Sequence, residues 1–208
     1  MDLTFLQHLV CRYLQWLGIT TKVFNVGNYR RKLHGAHQLH NFFDPHNPEG
    51  ERSRREAAIE ALDDMIYWFK KEQGVVALYD ATNSTRSRRE MLLAACTKHN
   101  IQVMFIESIC QDEALVLHNI MDVKLSSPDY KDMDPEQAAA DFKARIVHYE
   151  EAYETITEDN LTYIKLINVG SQVIINHIQG YLQSRIVYYL MNLHIAPRSI
   201  FFSRVWPR

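Results

Sequence analysis

A chain of 208 residues with 47% hydrophobic content is long enough to bury a full core and most simply makes one domain. Its 23 Lys plus Arg stand against 25 Asp plus Glu, which excludes a global field for nucleic acid or an anionic membrane and confines any anion site to a local cluster. Three widely spaced cysteines, Cys11, Cys96 and Cys110, form no C-x-x-C pair; with no leader pattern and no apolar run of about 18 residues, the chain reads as soluble and cytoplasmic.

The opening places Leu3, Leu6, Val10, Tyr13, Leu14 and Leu17 at helical spacing, and Gly18 ends the run. "TKVFNVG" then predicts a short buried strand, followed by a basic loop, "NYRRK". After a long polar stretch, Ala58, Ile59, Leu62, Met65, Ile66 and Phe69 mark a helix from about Pro48 to Lys71, stopped by "QG". "VVALYD" is a strand, and Met91, Leu92, Ala95 and Cys96 mark one face of a helix that reaches about His99. "VMFIESI" is the next strand. Helices from about Asp112 to Lys124 and Pro135 to Ala152 precede a final strand, "TYIKLINVG", and a last helix from about Asn176 to Leu193. Continuously apolar strands that alternate with helices of about ten or more residues predict an α/β fold, a parallel sheet with helices on both faces.

In such a sheet, ligands bind beyond the carboxyl ends of the strands, where loops and helix N-termini converge. Asp80 stands at such an end, and Thr82, Asn83, Ser84 and Thr85 follow it with hydroxyl and amide groups beside a helix start that favours an anion. Arg86, Arg88 and Arg89 add charge, but an Asx turn with Ser84 or Thr85 as N-cap explains the same pattern, and spacing alone leaves both readings open. Arg30 and Arg31 also lie just past a strand. Arg145 and Tyr149, four apart, share one helical face, although Asp141 is equally placed to form an exposed ion pair with Arg145. His34, His37 and His40 lack helical periodicity and a carboxylate pair, which favours a loop over a metal site.

The segments "FNVGNYRR", "YDATNSTRSRR", "FIESIC", "NIMDVKLSSPDY" and "QSRIVYYLMNLHIAPRSI" together resemble the kinase domain of the 6-phosphofructo-2-kinase/fructose-2,6-bisphosphatase family, in order and over nearly the whole chain. The resemblance implies a P-loop NTPase-like fold and transfer of the ATP γ-phosphoryl group, with magnesium, to the 2-hydroxyl of fructose 6-phosphate, in fructose metabolism and the control of glycolysis. It assigns Arg30, Arg54, Thr82, Arg88, Lys124, Arg145 and Tyr149 to the sugar phosphate, as a phosphate calls for converging cations and hydroxyls. Asp80, Cys110 and Lys124 match catalytic positions, and Asn119, Ile120, Met121, Asp122, Val123 and Lys124 match the segment that lines the nucleotide. Beyond a possible role for Asp80, no direct protein ligand to a metal is implied. A homodimer is implied as a possible assembly; the charge balance and the short apolar runs predict no nucleic-acid or membrane partner.

The family pattern also has a first strand and a Walker A loop, G-x-x-x-x-G-K-[ST], ahead of the first helix; here Thr4 stands about where the motif's hydroxyl would fall, without its glycines and lysine. Where the family's phosphatase domain opens with R-H-G, this chain has Arg204, Val205 and Trp206. The expectation is an N-terminally truncated kinase domain over residues 1–196, lacking first strand and phosphate loop, with 197–208 a remnant of the linker. The alternative is a non-catalytic sugar-phosphate-binding or regulatory fragment unable to hold ATP.

Overall fold

The computed structural model describes residues 3–112, 116, 127–131, 133–168 and 171–194. Helix α1 (Leu3–Trp16) buries Leu6, Val10 and Leu14 along one stripe, and the chain leaves it through Gly18 at φ 77°, a left-handed turn natural to glycine. Strand β1 (Thr21–Asn25) passes directly into helix α2 (Val26–His34). The segment "NYRRK", expected as a loop, is therefore helical. The cause is Asn25, whose side chain accepts the Asn28 N–H and caps the helix at the strand end.

A 3-10 helix (His40–Phe43) interrupts the polar stretch. Helix α3 (Pro48–Lys71) has the expected bounds: the Asn47 side chain accepts the Glu49 and Gly50 N–H groups, and Pro48 and two acids occupy the first turn. At Gly50 an added Cβ would strike the Phe42 carbonyl, so only glycine lets the 3-10 helix approach α3 this closely. Strand β2 (Val76–Asp80) leads to α4 (Arg86–Lys98), capped by Thr85, which accepts the Arg88 N–H. Strand β3 (Phe105–Ile109) follows. The helix expected over Asp112–Lys124 lies outside the described residues. Helix α5 (Pro135–Glu151), capped by Asp134, strand β4 (Tyr163–Ile167), strand β5 (Gln172–Asn176) and helix α6 (Gly180–His194) complete the description.

The expected α/β architecture with parallel pairing is present. β1 and β2 pair in parallel with Asn25 opposite Asp80, and β3 and β4 pair in parallel with Glu107 opposite Lys165. Strand β5, absent from the sequence reading, returns antiparallel beside β4. Its Ile174 and Ile175 are both exposed, so it carries neither the alternation nor the buried run that identifies a strand in sequence.

Two apolar layers hold the strands. On one face Leu6, Val10 and Leu14 of α1 and Ile186, Val187 and Leu190 of α6 pack on β4, with Val76, Leu78 and Ile106 against them. On the other, α3 and α4 enclose Phe24 with Leu62, Trp68 and Leu92. Each fully buried aliphatic side chain stabilises the fold by about 1.5–3 kcal/mol relative to exposure. Among the described residues, β1–β2 and β3–β4–β5 form separate sheets. A cavity of about 570 Å³ lies between β2 and β3, lined by Leu78, Asp80, Thr82, Met104 and Ile106.

Candidate functional site

The strongest concentration of charge gathers on the Asp129 carboxylate. Arg30, on the inner face of α2, donates from Nη2 to Asp129 Oδ2 at 2.5 Å, and Arg31 Nη1 lies 3.4 Å from the same oxygen. Arg145, from α5, brings Nη1 to 3.7 Å. The Arg30 and Asp129 side chains are only 5% and 3% exposed. Burial pushes the Asp129 carboxyl up, but the hydrogen bond from Arg30 and the charges of Arg30, Arg31 and Arg145 together hold it below the ordinary carboxylate value.

Aromatic groups fix the third arginine. Arg145 Nε donates to the Tyr149 hydroxyl at 3.0 Å, while its guanidinium lies over the Phe43 ring, 3.4 Å from the centroid. The four-residue spacing thus places Arg145 and Tyr149 together, as expected. The competing ion pair with Asp141 does not form: Asp141 accepts the His40 N–H at 2.9 Å and the Tyr130 hydroxyl at 2.8 Å. Those bonds tie the Asp129–Tyr130 segment and the 3-10 helix to α5.

Arg54 and Arg88 extend the basic region. Arg54 donates to the Phe42 carbonyl and stands over the Phe42 ring at 5.9 Å, and Arg88 Nη2 reaches the Arg54 carbonyl at 3.4 Å. Burial pushes both guanidiniums below their usual range. An anion beside them would offset that cost. Arg89 differs. Almost fully buried, it donates to the Glu154 carbonyl at 2.8 Å and to Glu158 at 3.0 Å, so it fastens α4 to the 153–158 segment.

Asp80 closes β2 and accepts the Asn25 side-chain amide. Thr82, Asn83 and Ser84 follow at the mouth of the cavity. Asn83 takes φ 42°, and its buried Oδ1 has no hydrogen-bond partner, an uncommon state for a buried polar atom. Thr85 is the cap, one of the two residues expected for it, and the residues before it line a cleft. Cys110 follows β3, half-buried, its thiol 3.9 Å from the Asp112 carbonyl. Lys124 and the nucleotide segment Asn119, Ile120, Met121, Asp122 and Val123 lie outside the described residues, as does the Thr4 side chain.

The histidines diverge: His34 lies 3.5 Å from Glu56, whereas His40 stacks on His148. Among the described residues, no group of three or more His, Cys, Asp or Glu side chains could hold a metal, and no helix is long and apolar enough to cross a membrane. Sequence reasoning missed Asp129 and Phe43, which complete the arginine cluster. "SSPDY" looks like a turn, and only its distance from Arg30 in the folded chain gives it meaning.

The family model for 6-phosphofructo-2-kinase matches residues 2–197. Among curated relatives, the 6-phosphofructo-2-kinase/fructose-2,6-bisphosphatase 3 of Rattus norvegicus is 45% identical over 205 residues, covering 97% of this chain and 37% of the relative. The 6-phosphofructo-2-kinase/fructose-2,6-bisphosphatase of Gallus gallus is 45% identical over 204 residues, 97% of this chain and 43% of its own length. That of Caenorhabditis elegans is 43% identical over 212 residues, 97% of this chain and 46% of its own length. The chain thus spans less than half the length of each of these relatives.

Proposed function

Because the chain belongs to the 6-phosphofructo-2-kinase family, we propose that it acts as a phosphotransferase on fructose 6-phosphate, with ATP as donor and fructose 2,6-bisphosphate as product. The observation that carries this reading is the gathering of Arg30, Arg31 and Arg145 from two separate helices around the buried Asp129 carboxylate, which leaves the cluster net positive. Planar guanidiniums arranged in this way suit the oxygens of a phosphate monoester. Arg54, Arg88 and Tyr149 continue the same basic wall, and Thr82 supplies a hydroxyl beside Asp80. Arg30, Arg54, Thr82, Arg88, Arg145 and Tyr149 would bind the sugar phosphate, together with Lys124.

Asp80 is the proposed catalytic carboxylate, set at a strand end where it lines the cavity. It would orient the 2-hydroxyl or hold a water of the metal shell as that hydroxyl attacks the γ-phosphorus and ADP departs. Asp80 and the unpartnered Asn83 Oδ1 are hard oxygen donors of the kind magnesium takes alongside phosphate oxygens. Magnesium supplies neutralisation of charge on the transferred group. The nucleotide would lie toward Asn119–Lys124, with Lys124 and Cys110 completing the site. All three cysteines are free thiols, which supports a cytoplasmic setting. The near-neutral net charge argues against nucleic acid, and a homodimer is proposed on the family resemblance alone.

A second reading is sugar-phosphate binding without transfer. It is favoured by the separateness of the two regions: the Asp129 cluster is made without any residue that lines the cavity. Purified protein given ATP, magnesium and fructose 6-phosphate should form fructose 2,6-bisphosphate, detected as an acid-labile sugar bisphosphate. Sugar-phosphate binding by calorimetry without product selects the second reading. Absence of both product and binding rules out both.

A further inference from the structure

Asp129 sits where an anionic ligand would be expected to sit, yet it belongs to the protein. Its Oδ2 receives Arg30 at 2.5 Å and lies 3.4 Å from Arg31 and 3.7 Å from Arg145, while its Oδ1 is buried without a hydrogen-bond partner. Three cations this close repel one another, and burial already presses the Arg31 guanidinium below its usual range, with Arg30 and Arg145 adding to the effect. Left alone, the arginines would turn apart toward water. One carboxylate among them lowers the repulsion without exhausting the charge. Three positive groups less one negative group leave this trio a net positive charge, which favours a phosphate monoester, close to a dianion at neutral pH.

The backbone that carries Asp129 is itself pinned. The next residue, Tyr130, is buried; its hydroxyl donates to Asp141 at 2.8 Å, and its ring meets Phe142 edge to face. The carboxylate is thus held by α5, the helix that also supplies Arg145. Arg30 and Arg31 arrive from α2, and their positions relative to α5 depend on this shared counter-ion.

We propose that Asp129 is a positioning residue of the sugar-phosphate site: an internal counter-ion that aligns Arg30, Arg31 and Arg145 and offsets their mutual repulsion while leaving them net positive toward an anionic phosphate. This rests on the sugar-phosphate reading of the arginine cluster. Asp129 need not touch the ligand to do this. It acts through guanidinium geometry, so the substitution Asp129→Asn keeps the shape and removes the charge, and Asp129→Glu keeps the charge and displaces it.

The test uses the full chain with fructose 6-phosphate and inorganic phosphate as probes in calorimetry, and nitrogen NMR of the arginine side chains. Wild-type protein should show separate Nη signals for Arg30, Arg31 and Arg145, because pairing slows rotation about the guanidinium bond. Asp129→Asn should merge those signals and weaken both probes at least tenfold, and Asp129→Glu should recover part of the affinity. Leu161→Ala, in a core cluster with Phe105, Ile156 and Tyr163, supplies a variant of lowered melting temperature and should bind within twofold of wild type. Nη signals that stay separate in Asp129→Asn, or affinity lost equally in Asp129→Asn and Leu161→Ala, overturn the proposal. If wild-type protein shows the separate signals and binds inorganic phosphate but not fructose 6-phosphate, the sugar-phosphate reading fails. The positioning role is then judged on inorganic phosphate alone: a tenfold loss in Asp129→Asn supports it, and unchanged affinity overturns it.

Discussion

The guanidinium carbon of Arg145 lies over Phe43, 3.4 Å from the ring centroid, so an aromatic ring in a 3-10 helix contacts an arginine on a helix distant in sequence. Replacing Phe43 with leucine keeps an apolar contact and removes the ring's attraction for the cation. That attraction is worth about 1–2 kcal/mol when desolvated, so affinity for fructose 6-phosphate should fall roughly 5- to 30-fold. Calorimetry reads the change directly. Unchanged affinity would mean that the stacking has no bearing on ligand binding.

Asp80 should separate chemistry from binding. Asp80→Asn retains the side-chain shape beside Asn25, so the proposed transfer rate should drop by about 10²- to 10⁴-fold while fructose 6-phosphate affinity stays within about twofold of wild type. A coupled assay and calorimetry on the same preparation give both values. Full turnover in Asp80→Asn would remove Asp80 from the catalytic role.

Acid should loosen the arginine cluster. Asp129 has a folded-state value below the ordinary 3.8, so its ion pairing stabilises the fold fully above that value and is lost as pH falls through the lower, folded-state one. Melting temperature measured from neutral pH to about pH 3 should therefore decline in wild type and decline less in Asp129→Asn. Parallel curves would show that Asp129 does not couple to stability.

The cross-strand pair of Glu107 and Lys165 is a structural counterpart to the site. The two side chains meet at 3.1 Å with exposures of 8% and 10%, and Tyr153 also donates to Glu107. Lys165→Met leaves a buried carboxylate without its cation, at a cost of about 3–5 kcal/mol. Denaturant titration should show that loss, and the double variant Glu107→Gln with Lys165→Met should restore much of it. Equal losses in the single and double variants would contradict the pairing argument.

The long periodic elements were legible in the sequence because each carries its own signals. Helix α3 has an asparagine cap, a proline at its first position and an apolar stripe, and its bounds could be read from Pro48 to Lys71. Helix α2 reads as a loop in the sequence because it has only 9 residues and begins where a strand ends; its cap, Asn25, has the look of a β1 residue. Strand β5 was hidden by exposed isoleucines that gave no buried face. At the site, Arg145 and Tyr149 could be paired by their spacing, while Asp129 and Phe43 could not. Their roles arise from contacts between segments far apart in sequence, and no local pattern encodes which carboxylate will meet which arginine.

The bond from Arg30 to Asp129 joins residues 99 positions apart. Loops of that length close late, because their entropy is lost before any contact rewards it. Helices α2 and α3 can form from local contacts, and β1 can pair with β2, before the segment bearing Asp129 comes into place. The order of assembly thus runs from scaffold to site: during refolding, helix signal should return first and the capacity to hold an anion last, so a newly made chain acquires its shape before it acquires its grip.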